Sequence, residues 1–169
     1  LWVDADIWDA THDPEAAQGW CHLFYDSDGD GTPNLDAPVD GAPYGPQQSL
    51  RDGSIWGTVQ VVPGRIIRLH LGDNPPETCV GEAYNVPVGG SFSRGVDVDS
   101  NGVVWTGLAG SGHLASFDRS KCEGPLTGPE AMIGDHCPEG WTLYPTPGPR
   151  MANTGFSADF HYYNFVDKY

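Results

Sequence analysis

Two tryptophans in matching surroundings constrain this chain more than any other feature. Asp52-Gly53-Ser54-Ile55-Trp56 recurs as Asn101-Gly102-Val103-Val104-Trp105, with the tryptophans 49 positions apart. Each unit is followed by a glycine-containing turn, at Gly64 and at Gly110-Ser111-Gly112, and then by a second strand-like run, 65–71 and 113–118. Pro63-Gly64 between two β-branched runs predicts a hairpin. A period of about 40–50 residues built around one hairpin predicts propeller blades, small sheets that bury their faces only against neighbours.

The expected fold class is all-β: about three propeller-type blades, a partial propeller, in a single domain over 1–169. Long Gly/Pro-rich loops connect the strands, with an acidic insertion at about 26–40. A sandwich of the same strands is the alternative. A degenerate third copy is expected at the start, with Leu1-Trp2-Val3 as its Trp strand and 21–26 as the partner. Trp141-Thr142-Leu143-Tyr144 is read as a strand of a later blade or a crossing loop, and 161–166 as a further strand. Asp13 followed by Pro14 predicts one short helical turn, with Asp13 as its cap. Both ends read as cut from something longer.

Charge narrows the partners. Eight Lys+Arg stand against 23 Asp+Glu, a net charge of −15. Such a surface repels phosphate backbones and anionic lipid, so nucleic acid is not an expected partner. No apolar run approaches the roughly 20 residues of a membrane span. The acidity either attracts cations or simply keeps an exported protein in solution.

Four cysteines in a turn-rich chain suit an oxidising, extracytoplasmic compartment, periplasmic or secreted. They allow three pairings. Cys122 with Cys137 across a Gly/Pro-rich loop, and Cys21 with Cys79, is the favoured set; buried thiols are the alternative. His136-Cys137 with Cys122 offers soft-metal ligands as a competing use.

The strongest local motif is Asp26-Ser27-Asp28-Gly29-Asp30-Gly31-Thr32, running on to Asp36. Calcium takes six to eight hard oxygens. Alternate carboxylates of Asp26, Asp28 and Asp30, the carbonyl of Thr32 and the acid of Asp36 form a candidate ligand set for a structural calcium ion. Ala37 stands where an EF-type loop has its bidentate acid. An Asx-rich turn without an ion is the competing reading. Asp97-Val98-Asp99 before Asn101-Gly102 is read first as hairpin-turn chemistry.

The units DGSIWGT and NGVVWTG, each with its following strand, resemble the repeats of virginiamycin-B-lyase-like and NHL-type β-propellers. The stretch from Arg94 to Cys122, followed by HCPEGWTLYPTPGP, resembles a group of uncharacterised exported bacterial propeller proteins. This resemblance covers about 50–169 and implies export and a propeller. The acidic loop is also similar to those of thrombospondin type 3 repeats. The lyase resemblance implies a site of His and Glu with a divalent metal. His113 and His161 are the catalytic candidates, although no matching Glu–His pair accompanies them. The expected function is an exported, non-catalytic binding or scaffold module that engages a protein partner or a larger assembly. A lyase-like enzyme using metal-assisted proton abstraction and a calcium-dependent adhesion or matrix protein are the alternatives.

Overall fold

A computed structural model describes residues 2–167 of the chain. The two Trp-containing units fold into two four-stranded antiparallel sheets. The first runs β3 (Tyr44–Gln48), β4 (Ile55–Val59), β5 (Arg65–His70) and β6 (Val80–Asn85), each strand beside its sequence neighbour. The second repeats that order with β7 (Ser93–Val98), β8 (Val104–Leu108), β9 (His113–Phe117) and β10 (Trp141–Pro145). Trp56 and Trp105 both sit on the second strand of their sheet, opposite Arg68 and Ser116. The segment at Trp141 is thus the outer strand of the second sheet.

The first strands correspond in detail. Both β3 and β7 carry a register shift, between Tyr44 and Gln47 and between Arg94 and Val96. At each shift stands a glycine in the left-handed region, Gly45 at φ 58° and Gly95 at φ 65°. An extra residue in that conformation bends and twists the strand, and glycine adopts it without steric cost. The two bends meet: a Cβ on Gly45 would lie 3.1 Å from the Gly95 Cα. The Thr58 hydroxyl accepts from the Gly95 amide at 3.1 Å and donates to the Tyr44 carbonyl at 3.1 Å, joining the sheets there.

The sheets pack face to face over one apolar core. Trp56, Ile66 and Tyr84 of the first meet Val96, Val98, Val104 and Phe117 of the second, with Cys137 alongside. Aromatic rings carry the centre, Tyr84 and Phe117 at 4.5 Å and Phe117 and Trp141 at 5.0 Å between centroids. The other face of the first sheet is not left to solvent. Val59, Ile67 and Ala83 are covered by Tyr25, Ala37 and Val39 from the irregular segment that contains the acidic insertion. Burial on both faces fits the nearly continuous apolar run of β4.

Three expectations need correction. The Trp2–Val3 strand, β1, pairs with Gln18–Gly19, β2, and not with 21–26; Leu1 lies outside the described residues. Helix α1 (Ala5–Thr11), capped by Asp4, and the expected turn α2 (Pro14–Ala17), capped by Asp13, fill the space between them. Residues 21–26 instead lead into the acidic loop, and Phe24 accepts from the Gly81 amide at 2.6 Å, covering the edge of β6. No third four-stranded sheet occurs among the described residues.

The segment 161–166 is not a strand. It lies against β7 and β8, with Asn164 Nδ2 donating to the Trp105 carbonyl at 2.9 Å and the Val166 amide to Asp97 Oδ2 at 2.9 Å. Tyr163 presses on both bend glycines, 2.7 Å from a Cβ placed on Gly95. Among the described residues no helix is long and apolar enough to cross a membrane.

Candidate functional site

Both disulfides tie irregular chain to the sheets. Cys21 is bonded to Cys79, just ahead of β6, and Cys122 to Cys137 across the loop that follows β9. The first anchors the stem of the acidic loop. The second closes a loop carrying helix α3 (Pro129–Ile133), which docks on β6 through Asn85 Nδ2 to the Ile133 carbonyl and to Asp135 Oδ1. The two loops touch: the Gly128 amide donates to the Asp26 carbonyl at 2.8 Å.

The acidic loop is built around Asp26, which is buried. Its Oδ1 accepts from the Gly29 and Asp30 amides at 2.7 and 3.1 Å, and its Oδ2 from the Gly31 amide at 3.0 Å. Those bonds curl the chain so that one carboxylate oxygen each from Asp26, Asp28 and Asp30 lies within 4.8 Å of the others. Thr32 gives its amide and hydroxyl to Asp30 Oδ1, which holds that carboxyl below the usual carboxylate range. Asn34 closes the loop by accepting from the Ser27 amide at 2.6 Å. Asp36 is exposed and is not one of the three clustered acids. All the donors are hard oxygens, the set calcium or magnesium takes and zinc or copper does not prefer. Three carboxylates supply part of a calcium shell, and carbonyls and water complete it.

Beside this loop lies a charged chain that the sequence reading missed. Glu82 on β6 is nine-tenths buried. Its Oε1 accepts from Arg68 Nη1 and Arg119 Nη2, both at 2.7 Å. Its Oε2 accepts from Arg119 Nε at 2.7 Å and from the Tyr84 hydroxyl. Arg68 Nη2 reaches Asp52 Oδ2 at 2.9 Å, and Asp52 in turn accepts from the Ser54 hydroxyl at 2.7 Å. The Trp56 indole donates to Ser54 at 3.0 Å. Burial alone would raise the Glu82 pKa, but the Arg119 hydrogen bonds and the two guanidinium charges outweigh it and hold it low. Burial and the Glu82 charge push the Tyr84 phenol up. A carboxylate this fully satisfied is a structural anion and not a proton acceptor. Because Arg119 follows β9, the chain latches the second sheet to the first.

Two open clefts flank that latch. One, of about 180 Å³, lies where the turns at Arg51–Asp52 and Asn101–Gly102 face each other. The other, of about 480 Å³, is walled by Asp26 and Gly31 of the acidic loop, by His70 and Asp73, and by Arg119 and Thr127, with Arg68 and Glu82 also contributing.

His113 and His161 are placed apart from this region, whereas His136 packs against Tyr84 of the latch. His113 on β9 shares its Nδ1 with the Ser111 hydroxyl at 3.0 Å. His161 packs its Cβ over Gly107 of β8, with Nε2 buried and without a partner. Asp99 accepts from the Asn101 and Val103 amides at 2.9 and 3.0 Å, which is turn chemistry. His136 stacks on Tyr84 at 4.9 Å, and burial pushes its pKa down.

No protein-family model matches the chain, and neither does any curated protein or solved structure. The two Trp units occupy equivalent strands of the two sheets.

Proposed function

We propose that this chain is an extracytoplasmic binding or scaffold module of β-propeller type, carrying a structural calcium ion in the loop at Asp26, Asp28 and Asp30. Two disulfides and a β-rich, acidic chain fit such a compartment. Two four-stranded sheets with the same strand order, equivalent bends in their first strands and a shared core support the blade reading. The observation that carries the reading is the acidic loop: it is anchored by a disulfide and its own amides, and three carboxylates converge in it. Three converging carboxylates concentrate negative charge, and a divalent ion relieves it.

Asp26 shapes the loop, whereas Asp28 and Asp30 are exposed and free to ligate. Calcium in large excess over its dissociation constant should raise the melting temperature by about 5–10 °C over a chelator-treated sample. The double variant Asp28→Asn/Asp30→Asn should keep its fold and lose that rise. An equal melting temperature with calcium and with chelator contradicts the reading.

A further inference from the structure

The larger cleft is lined by several hydrogen-bond donors. Glu82 accepts two bonds on each oxygen and has nothing left to offer. Arg68 has a side chain 6% exposed, and its Nε is buried with no partner. Arg119 spends Nε and Nη2 on Glu82, while its Nη1 makes no hydrogen bond among the described residues. His70 and Thr127 add further donors on the walls. Of the acids that line the cleft, Glu82 is saturated, Asp26 has given its oxygens to three amides, and Asp73 is exposed.

A buried donor without an acceptor costs free energy that an incoming acceptor or an ordered water returns. The walls are also pre-shaped: one comes from the loop tied by Cys21–Cys79, another from the loop closed by Cys122–Cys137. About 480 Å³ is within the range of small-molecule sites and matches one sugar or amino-acid unit better than a polymer.

The geometry points to this cleft as the binding site for a small carboxylate ligand, gripped by the free edge of Arg119 with His70 also lining the cleft. The inference rests on the binding-module reading above, but not on its calcium ion. A guanidinium takes a carboxylate through planar, charge-assisted bonds, which a neutral hydroxyl does not match. The overall charge of −15 repels an anion at long range, while the free edge of Arg119 attracts it only at hydrogen-bonding range. Added salt screens the long-range part first, so moderate salt should speed association.

The test is calorimetric titration of the intact protein with D-glucuronate, N-acetylglutamate, glucose and N-acetylglutamine, each with calcium and with chelator. Saturable binding of at least one acid, with a dissociation constant of about 1 mM, and none of the neutral compounds supports the inference. Glucuronate alone identifies a sugar acid, and N-acetylglutamate alone a peptide-type acid. Arg119→Gln should weaken binding about tenfold; because it also loosens the latch, His70→Ala serves as the second variant. His70→Ala should leave the melting temperature unchanged and still weaken binding severalfold. Binding of no acid, or of acid and neutral compound alike, overturns the inference. Acid binding that persists in chelator alongside a failed calcium titration removes the calcium reading and leaves the cleft assignment in place.

Discussion

The two sheets share strand order and the bend in their first strand, yet they are wired differently. Trp56 is buried and its indole N–H donates a hydrogen bond to Ser54, the first link of a chain through Asp52, Arg68 and Glu82 to Arg119. Trp105 is half-buried, donates to Asp99 at 3.1 Å and stacks on Tyr144 at 5.8 Å. The substitutions responsible are plain. Asn101 stands where the first unit has Asp52, and Ser116 faces Trp105 where Arg68 faces Trp56. The outer edges differ too. β6 is covered through Gly81 to Phe24 and Asn85 to Gly134, whereas β10 ends in Pro145, with Pro147 and Pro149 close behind. Proline at an open edge blunts further strand pairing. A repeat thus preserves the backbone scaffold and leaves each copy free to acquire its own polar wiring, here concentrated in the first.

That contrast can be broken most severely at Glu82. Glu82→Ala strands the buried Arg68 without its main partner and should cost about 3–5 kcal/mol. Thr142 faces Ser116 as Glu82 faces Arg68, but it is exposed. Thr142→Ala should stay within about 0.5 kcal/mol. Urea unfolding of both variants checks the pair, and equal losses would remove the distinction between the sheets.

The disulfides should rank next. Replacing Cys21 and Cys79 by serine opens a loop of separation 58 and should cost about 4 kcal/mol, against about 3 kcal/mol for Cys122 and Cys137 with separation 15. Calorimetric melting of the two double variants gives the order; the acidic-loop pair should be the less stable.

The bend glycines are where the sheets should respond alike. Gly45→Ala and Gly95→Ala both force a side chain into the left-handed region beside Tyr163. Each should lose at least about 1–2 kcal/mol. A loss at one and not at the other, read from the same urea curves, would show that the two bends are not equivalent.

The smallest effect concerns pH, and it belongs to the first sheet's side. Burial lowers the His136 pKa, so the folded state favours the neutral ring against Tyr84. That stabilisation is present above the unfolded value of about 6.5 and is lost as pH falls from there toward the lower folded value. Glu82 and Asp52 are also held low, Asp52 because bonds from Ser54 and Arg68 outweigh its partial burial, so their contribution persists until the carboxylate range is reached. The melting temperature should therefore begin to fall below about pH 6.5, and His136→Phe should flatten that first decline while leaving the carboxylate-driven loss below about pH 4.

What was legible in the sequence follows from range. The Trp units and their Gly turns announce hairpins because both signals lie within a dozen residues, and those hairpins are β4–β5 and β8–β9. The acidic loop was legible for the same reason, since Asp26 bonds residues three to five positions ahead. Helix α1 was missed because it buries no residue and so leaves no apolar stripe to read. The run 161–166 has strand-like composition, but its hydrogen bonds go singly to β7 and β8, through Asn164 and Val166, and form no ladder. The latch was out of reach: Glu82 and Arg119 lie 37 positions apart and meet only because the sheets stack. Its one local trace is a pair of charges, Arg68 and Glu82, inside strands that are otherwise apolar on both faces.

The most direct test of the account is calorimetric titration of calcium into the chelator-stripped protein. One ion per chain should bind, with the heat abolished in Asp28→Asn/Asp30→Asn while the urea midpoint of the ion-free variant does not fall below that of the ion-free parent. No saturable heat with the parent protein, or undiminished heat with the variant, would contradict the assignment of the acidic loop as a preformed cation site.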